Sequence, residues 1–137
     1  MLFRQLFDEE TNTYTYLLAD EDTRESILID PVLGQVKRDT LLIEQLGLRL
    51  LYILETHIHA DHITSANTLR ERFGAQTVLS EKAGVDCADL NAVHGQKLEF
   101  GAHRVEVRLT PGHTSSCQSF VVRNSDHDRV FTGDALL

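Results

Sequence analysis

The chain is short of basic residues, of cysteine and of long apolar runs, and each shortage excludes a class of function. Lys and Arg number 13 against 21 Asp and Glu, a net charge of −8 over 137 residues. An acidic chain repels phosphate backbones and anionic lipid, so neither a nucleic acid nor a membrane is expected as a partner. No apolar run reaches the roughly 18 residues needed to cross a bilayer. Residues 1–8 carry no basic region leading into a long apolar stretch, so no secretory signal is expected. Cys87 and Cys117 are the only cysteines, which predicts free thiols in a reducing, cytoplasmic compartment. Internal repeats, low-complexity segments and Pro- or Ser-rich linkers are all missing from the sequence. With 42% hydrophobic and 25% charged residues, 1–137 fits a single globular domain, long enough to form a core without disulfides.

What is present is a regular succession of short apolar runs and polar turns. Residues 1–7, 14–19 and 26–29 predict three strands joined by the polar stretches 8–12 and 20–23. Pro31 ends the third, because proline cannot donate to a ladder. Residues 38–46 predict a helix with Leu42, Ile43 and Leu46 on one side and Gly47 just past its end. Residues 48–54, apolar except for Arg49, suit a strand covered on both faces. A second helix is expected to start at Thr64 or Ser65, to bury Ala66, Leu69 and Phe73, and to close at Gly74. Residues 76–79 predict a short strand, and 80–93 give no clear assignment. Residues 97–100 and 103–109 are expected to pair around Gly101, and 118–123 with 129–132. Strands at both ends with helices between them predict an α/β layered fold. The closing Ala135-Leu136-Leu137 has nothing to pack against, so the chain is expected to stop in mid-domain.

Seven histidines are present, and His57, His59 and His62 fall within six residues together with Asp61. Residues i and i+2 of an extended segment point the same way, so His57 and His59 can converge on one ion. Asp61 and His62 follow within reach of the same ion or a neighbouring one. Imidazole suits Zn, Fe, Cu and Ni, and a carboxylate adds a hard oxygen. Two further groups follow later strands. His113 sits in Thr110-Pro111-Gly112-His113-Thr114, where Pro111 and Gly112 fix a turn. Asp134 follows Phe131-Thr132-Gly133, where Gly133 permits close backbone approach. Each of these alone is a common loop; together, each after a strand, they predict a metal centre.

These three segments resemble the metallo-β-lactamase superfamily. Glu55-Thr56-His57-Ile58-His59-Ala60-Asp61-His62-Ile63-Thr64, Thr13-Tyr14-Thr15-Tyr16-Leu17, Ile29-Asp30-Pro31-Val32 and the segment from Phe131 to Leu137 resemble one branch more closely. That branch is the persulfide dioxygenases (sulfur dioxygenases, the ethylmalonic encephalopathy protein family), related to glyoxalase II. The resemblance implies a four-layer αββα sandwich, of which this chain would hold the first half and the start of the second. It also implies one Fe(II) on His57, His113 and Asp134, with His59, Asp61 and His62 orienting the ligands and water. Glutathione persulfide and O2 would then be converted to sulfite and glutathione. The glyoxalase II alternative uses the same residues with two Zn: His57, His59 and His113 on one, Asp61, His62 and a later His on the other, Asp134 bridging, and a thioester as substrate. Family members continue past the Gly-Asp-Ala-Leu-Leu segment, so the chain is expected to be part of a longer enzyme, and a catalytically incomplete metal-binding fragment is a third alternative. A partial sandwich would expose apolar surface, which makes a homodimer possible.

The remaining candidates have plainer readings. Cys117, preceded by Ser116 where the family pattern has Gly, is expected to be a small buried hydrophobe, and Cys87 inert. His94, His103 and His127 are expected at the surface, Tyr14 and Tyr16 in packing, and Arg70 and Arg72 on the wet face of the second helix.

Overall fold

The computed structural model describes residues 1–57, 60–83, 88–110, 117–123 and 128–132, with 60–64 as backbone only. Strands β1 (Leu2–Asp8), β2 (Thr13–Ala19) and β3 (Glu25–Ile29) form an antiparallel meander. Helix α1 (Val36–Gln45) carries the chain over to β4 (Arg49–Leu54), which pairs parallel with β3. Helix α2 (Ala60–Phe73) leads in the same way to β5 (Gln76–Ser80), and β6 (Leu90–Ala92) extends the parallel run. The first sheet therefore has six strands in chain order, β1 to β6. Strands β7 (Lys97–Phe100), β8 (His103–Leu109), β9 (Gln118–Val122) and β10 (Arg129–Phe131) form a second, antiparallel sheet.

Alternation along the strands builds two cores. Leu18, Ile27, Ile29, Leu54 and Val78 meet Phe100, Val105, Val107, Phe120 and Phe131 between the sheets. Leu17, Leu28 and Ile53 point the other way, against Ile43 of α1 and Ala66 and Leu69 of α2. Helices, first sheet and second sheet are thus three of the four layers that the resemblance implies. Among the described residues no helix is long and apolar enough to cross a membrane.

The expected elements are present, with strand ends within a residue of expectation, α1 beginning at Val36 two residues early, and one larger displacement. Helix α2 begins at Ala60, not at Thr64 or Ser65. Ser65 is fully buried inside the helix, so it packs rather than caps, and Asp61 and His62 belong to the first helical turn instead of the preceding loop. Residues 80–93 resolve in part into a 3₁₀ turn, Glu81–Ala83, and β6.

The two sheets are stapled at the start of β3. Asp20 accepts the Ala102 N–H at 2.8 Å, and Glu25 accepts the Gly101 N–H at 2.7 Å. Asp20 also caps its own turn by accepting the N–H groups of Asp22 and Thr23.

Candidate metal centre

β3 and β4 are parallel and end side by side, with Ile29 opposite Leu54. Their carboxyl ends therefore deliver Asp30 and Glu55-Thr56-His57 to the same edge, where open α/β sheets place ligand sites. Asp30 adopts a left-handed backbone (φ 53°), which Asp tolerates better than most residues. It is fixed there because its N–H donates to Leu54 O at 2.9 Å and its carbonyl accepts the Thr15 hydroxyl at 2.8 Å.

From that position the Asp30 carboxylate holds Thr56 twice. One oxygen accepts the Thr56 N–H at 2.8 Å, and the other accepts the Thr56 hydroxyl at 2.6 Å. Both residues are buried. Thr56 Oγ1 also lies 2.8 Å from His57 Nδ1. A hydroxyl has one proton, and this one is committed to the carboxylate. Thr56 Oγ1 must therefore accept, so Nδ1 carries a hydrogen, and in the neutral ring Nε2 is the nitrogen left with the lone pair. A carboxylate acting through a hydroxyl thus fixes the tautomer and the ring of His57, the arrangement that metal-ligating histidines require. On this donor chemistry His57 fits a metal ligand.

The second sheet grips the same segment. Gln118 at the start of β9 donates its backbone N–H to Thr56 O and its side-chain Nε2–H to Glu55 O, both at 2.8 Å. Thr110 N–H donates to Cys117 O at 3.1 Å, and the hydroxyls of Thr110 and Ser119 meet at 2.8 Å. The β8–β9 connection, which contains His113, thereby starts and ends beside Glu55-Thr56. A cavity of about 270 Å³ opens at His57, and its lining includes Tyr14, Tyr16, Asp30, Thr56, Phe131 and Thr132 together with Thr11, Asn12 and Thr13. Thr132 on that wall is the described end of the segment that contains Asp134.

The structure thus brings together the stems of all three predicted segments. Of the predicted metal residues it describes the side chain of His57 alone. Asp61 and His62 are placed by their backbone in α2, and His59, His113 and Asp134 lie outside the described residues, as do Cys87 and His127. Among the described residues no three His, Cys, Asp or Glu side chains gather around one point.

Asp30 was missed as a site residue: the sequence marked it as part of a strand end. No local signal marks it, because its role depends on β4 becoming the parallel neighbour of β3. Tyr14 and Tyr16 do pack as expected, with ring centroids 6.3 Å apart and Tyr16 4.7 Å from Phe131, but both also wall the cavity. Burial holds the Tyr16 phenol above its ordinary pKa, with smaller contributions from Tyr14 and Asp30, so it stays a neutral hydrogen-bonding group. Cys117 is buried and unoxidised, as expected. His94 is exposed and accepts the Leu109 N–H. His103 is more enclosed than a surface residue, 3.7 Å from Asp20. Arg70 and Arg72 are exposed, but each is tied, to Asp89 at 2.7 Å and to Glu44 at 2.9 Å.

Comparison with known proteins extends the geometry. The chain is 49% identical to the mitochondrial persulfide dioxygenase ETHE1 of Bos taurus over 138 residues, covering all of this chain and 53% of that protein. The crystal structure of ETHE1 from Myxococcus xanthus matches with a TM-score of 0.90 and 49% identity, over all of this chain and 59% of that one. A hydroxyacylglutathione hydrolase-like protein of Mus musculus is 33% identical over 128 residues, 91% of this chain and 44% of its own length. The chain spans about half the length of the curated relatives it matches. Residues 8–137 match the model of the metallo-β-lactamase superfamily, and with its helix–sheet–sheet layering the chain belongs to that superfamily.

Proposed function

We propose that this chain supplies the metal-holding loops of a non-haem iron dioxygenase that oxidises a thiol persulfide, glutathione persulfide in the first instance, with O2 and water to sulfite and the free thiol. The observation that carries the proposal is the 49% identity to a persulfide dioxygenase across the whole chain. In this reading His57, His113 and Asp134 hold one Fe(II), and His59, Asp61 and His62 orient those ligands and nearby water. Bound by two imidazoles and one carboxylate, the iron supplies open positions and redox chemistry for O2 and a sulfur substrate. The protein supplies the rest. Asp30 and Thr56 keep His57 in the tautomer whose Nε2 can ligate. Tyr14, Tyr16 and Phe131 line the approach with aromatic surface, which sulfur contacts favourably. The neutral Tyr16 phenol adds a hydrogen-bonding group without adding charge. A cavity of about 270 Å³ admits the reacting end of a substrate and leaves the carrier portion at the rim.

The expected result is iron at one per chain, O2 uptake with glutathione persulfide, and sulfite as product. Two Zn per chain with turnover of S-lactoylglutathione would overturn it in favour of a glyoxalase II-like hydrolase, the reading supported by the hydroxyacylglutathione hydrolase-like relative. Metal binding without either activity would leave the chain a metal-binding module. A cytoplasmic location belongs to the same proposal; the bovine relative is named as mitochondrial.

A further inference from the structure

β9 is buried at all five of its positions, and four of them carry small or apolar side chains suited to that burial or to a local partner. Gln118 is the exception. It is 0% exposed, an environment in which an aliphatic side chain would avoid the cost of desolvating an amide. Its Nε2 donates to Glu55 O and its backbone N–H to Thr56 O, so one residue of the second sheet grips two consecutive carbonyls at the end of a first-sheet strand. The next residue after those carbonyls is His57, and two positions before Gln118 the chain emerges from the His113 connection. Its Oε1 is buried and has no hydrogen-bond partner among the described residues. The amide is thus kept for its donor, at the expense of an unmet acceptor. We propose, resting on the metal centre proposed above, that Gln118 is a positioning residue: a clip between the sheets that sets where Thr56 and His57 sit relative to the start of β9.

The test compares Gln118→Met, similar in size without the donor, with Gln118→Glu, which places an acceptor against the Glu55 carbonyl. Amide hydrogen exchange is measured at Thr56, and at Leu17 and Val105 as distant references. The clip predicts that exchange at Thr56 accelerates about tenfold in Gln118→Met, and further in Gln118→Glu, while the references change less than about twofold. Metal retention against a chelator should fall about 10- to 100-fold. If Gln118→Met does not fold, Gln118→Asn, which keeps the amide but shortens its reach, should show the same local loss. Unchanged exchange at Thr56 in a folded variant overturns the proposal. So does an equal loss at Thr56 and the references, which marks Gln118 as ordinary core. If the unmodified chain holds no metal, the metal-centre reading fails, and exchange at Thr56 still decides the role of Gln118.

Discussion

Replacing Thr56 with Val tests the carboxylate–hydroxyl–imidazole chain directly. Valine matches threonine in shape and β-branching, so the strand end keeps its volume while two hydrogen bonds disappear. The first is the 2.6 Å bond to the buried Asp30 carboxylate, and the second is the 2.8 Å bond from His57 Nδ1–H. Removing a donor from a buried charged acceptor costs about 1.5–3 kcal/mol, and a neutral bond about 0.5–1.5 kcal/mol. The added methyl recovers about 0.8 kcal/mol of burial. The net loss is therefore about 2–3 kcal/mol in urea denaturation. Thr56→Ser keeps the hydroxyl and should lose less than about 1 kcal/mol. A second readout separates orientation from stability. The ¹⁵N shifts of His57 should report a hydrogen on Nδ1 in the native chain and in Thr56→Ser, and a mixture of tautomers in Thr56→Val. Equal stability of the Val and Ser variants, or a His57 already protonated on Nε2 in the native chain, would refute the chain of bonds as drawn.

Two predictions concern pH. Asp20 has its pKa lowered to about 2, chiefly by the Ala102 N–H, with help from the Thr23 and Asp22 N–H groups and His103. A depressed carboxylate contributes stability above its ordinary value of 3.8 that is lost as pH falls toward 2. Asp20→Asn should flatten stability between pH 4 and pH 2 in acid denaturation; an unchanged slope would show that Asp20 does not control it. Asp39 is the opposite case. Burial raises its pKa to about 6 against the opposing pull of Arg38, and its Oδ2 has no partner among the described residues. Ionisation of Asp39 therefore weakens the fold as pH rises through 6. Asp39→Asn should stabilise the chain by about 1–3 kcal/mol at pH 7.5 and by nearly nothing at pH 3.5. A loss at pH 7.5 would mean that the Arg38 bond outweighs the desolvation.

The parts of this molecule that were legible in sequence are those set by local pattern. The apolar run 48–54 marks a strand covered by helices on one face and by the second sheet on the other, with Leu50, Ile53 and Leu54 buried and Leu51 and Tyr52 partly so. Gly47 and Gly74 marked helix ends because both are left-handed there. The start of α2 was hidden because Thr64 and Ser65 are good caps by type, whereas tertiary burial decided for Ser65. The histidine cluster predicts a site through its spacing behind an apolar strand, and of its side chains only that of His57 lies among the described residues. Asp30 and Gln118 carry no such signal, since their roles depend on which strands become neighbours. A carboxylate 26 residues from its hydroxyl partner, and an amide 63 residues from its carbonyl, leave no local trace. The tyrosines were assigned half their role for the same reason: period-two alternation gives a face, but not the cavity that the face borders.

These long-range bonds tie the two sheets together at opposite ends of β3. At its start Asp20 and Glu25 hold the Gly101–Ala102 turn; beyond its end Gln118 holds Glu55-Thr56. Five residues separate the two, roughly 17 Å of strand. Phe100, Val105, Val107 and Phe120 fill the space between the sheets, and a close-packed interior can transmit strain, so the two ties either act independently, as distant sites without shared partners usually do, or act on one soft motion. Gly101→Ala tests whether they do. Gly101 has φ 62°, and an added Cβ would collide with the Asp20 side chain. Left-handed strain of about 1–2 kcal/mol combines with displacement of Asp20, for a total of about 2–4 kcal/mol. Independence of the two ties predicts that Gly101→Ala and Gln118→Met add to within about 0.5 kcal/mol in a double-mutant cycle. It also predicts that Gly101→Ala leaves exchange at Thr56 unchanged relative to the rest of the first sheet. A coupling well above that margin would show that the sheets slide as rigid bodies, and that Thr56 and His57 depend on the staple at the far end of the strand.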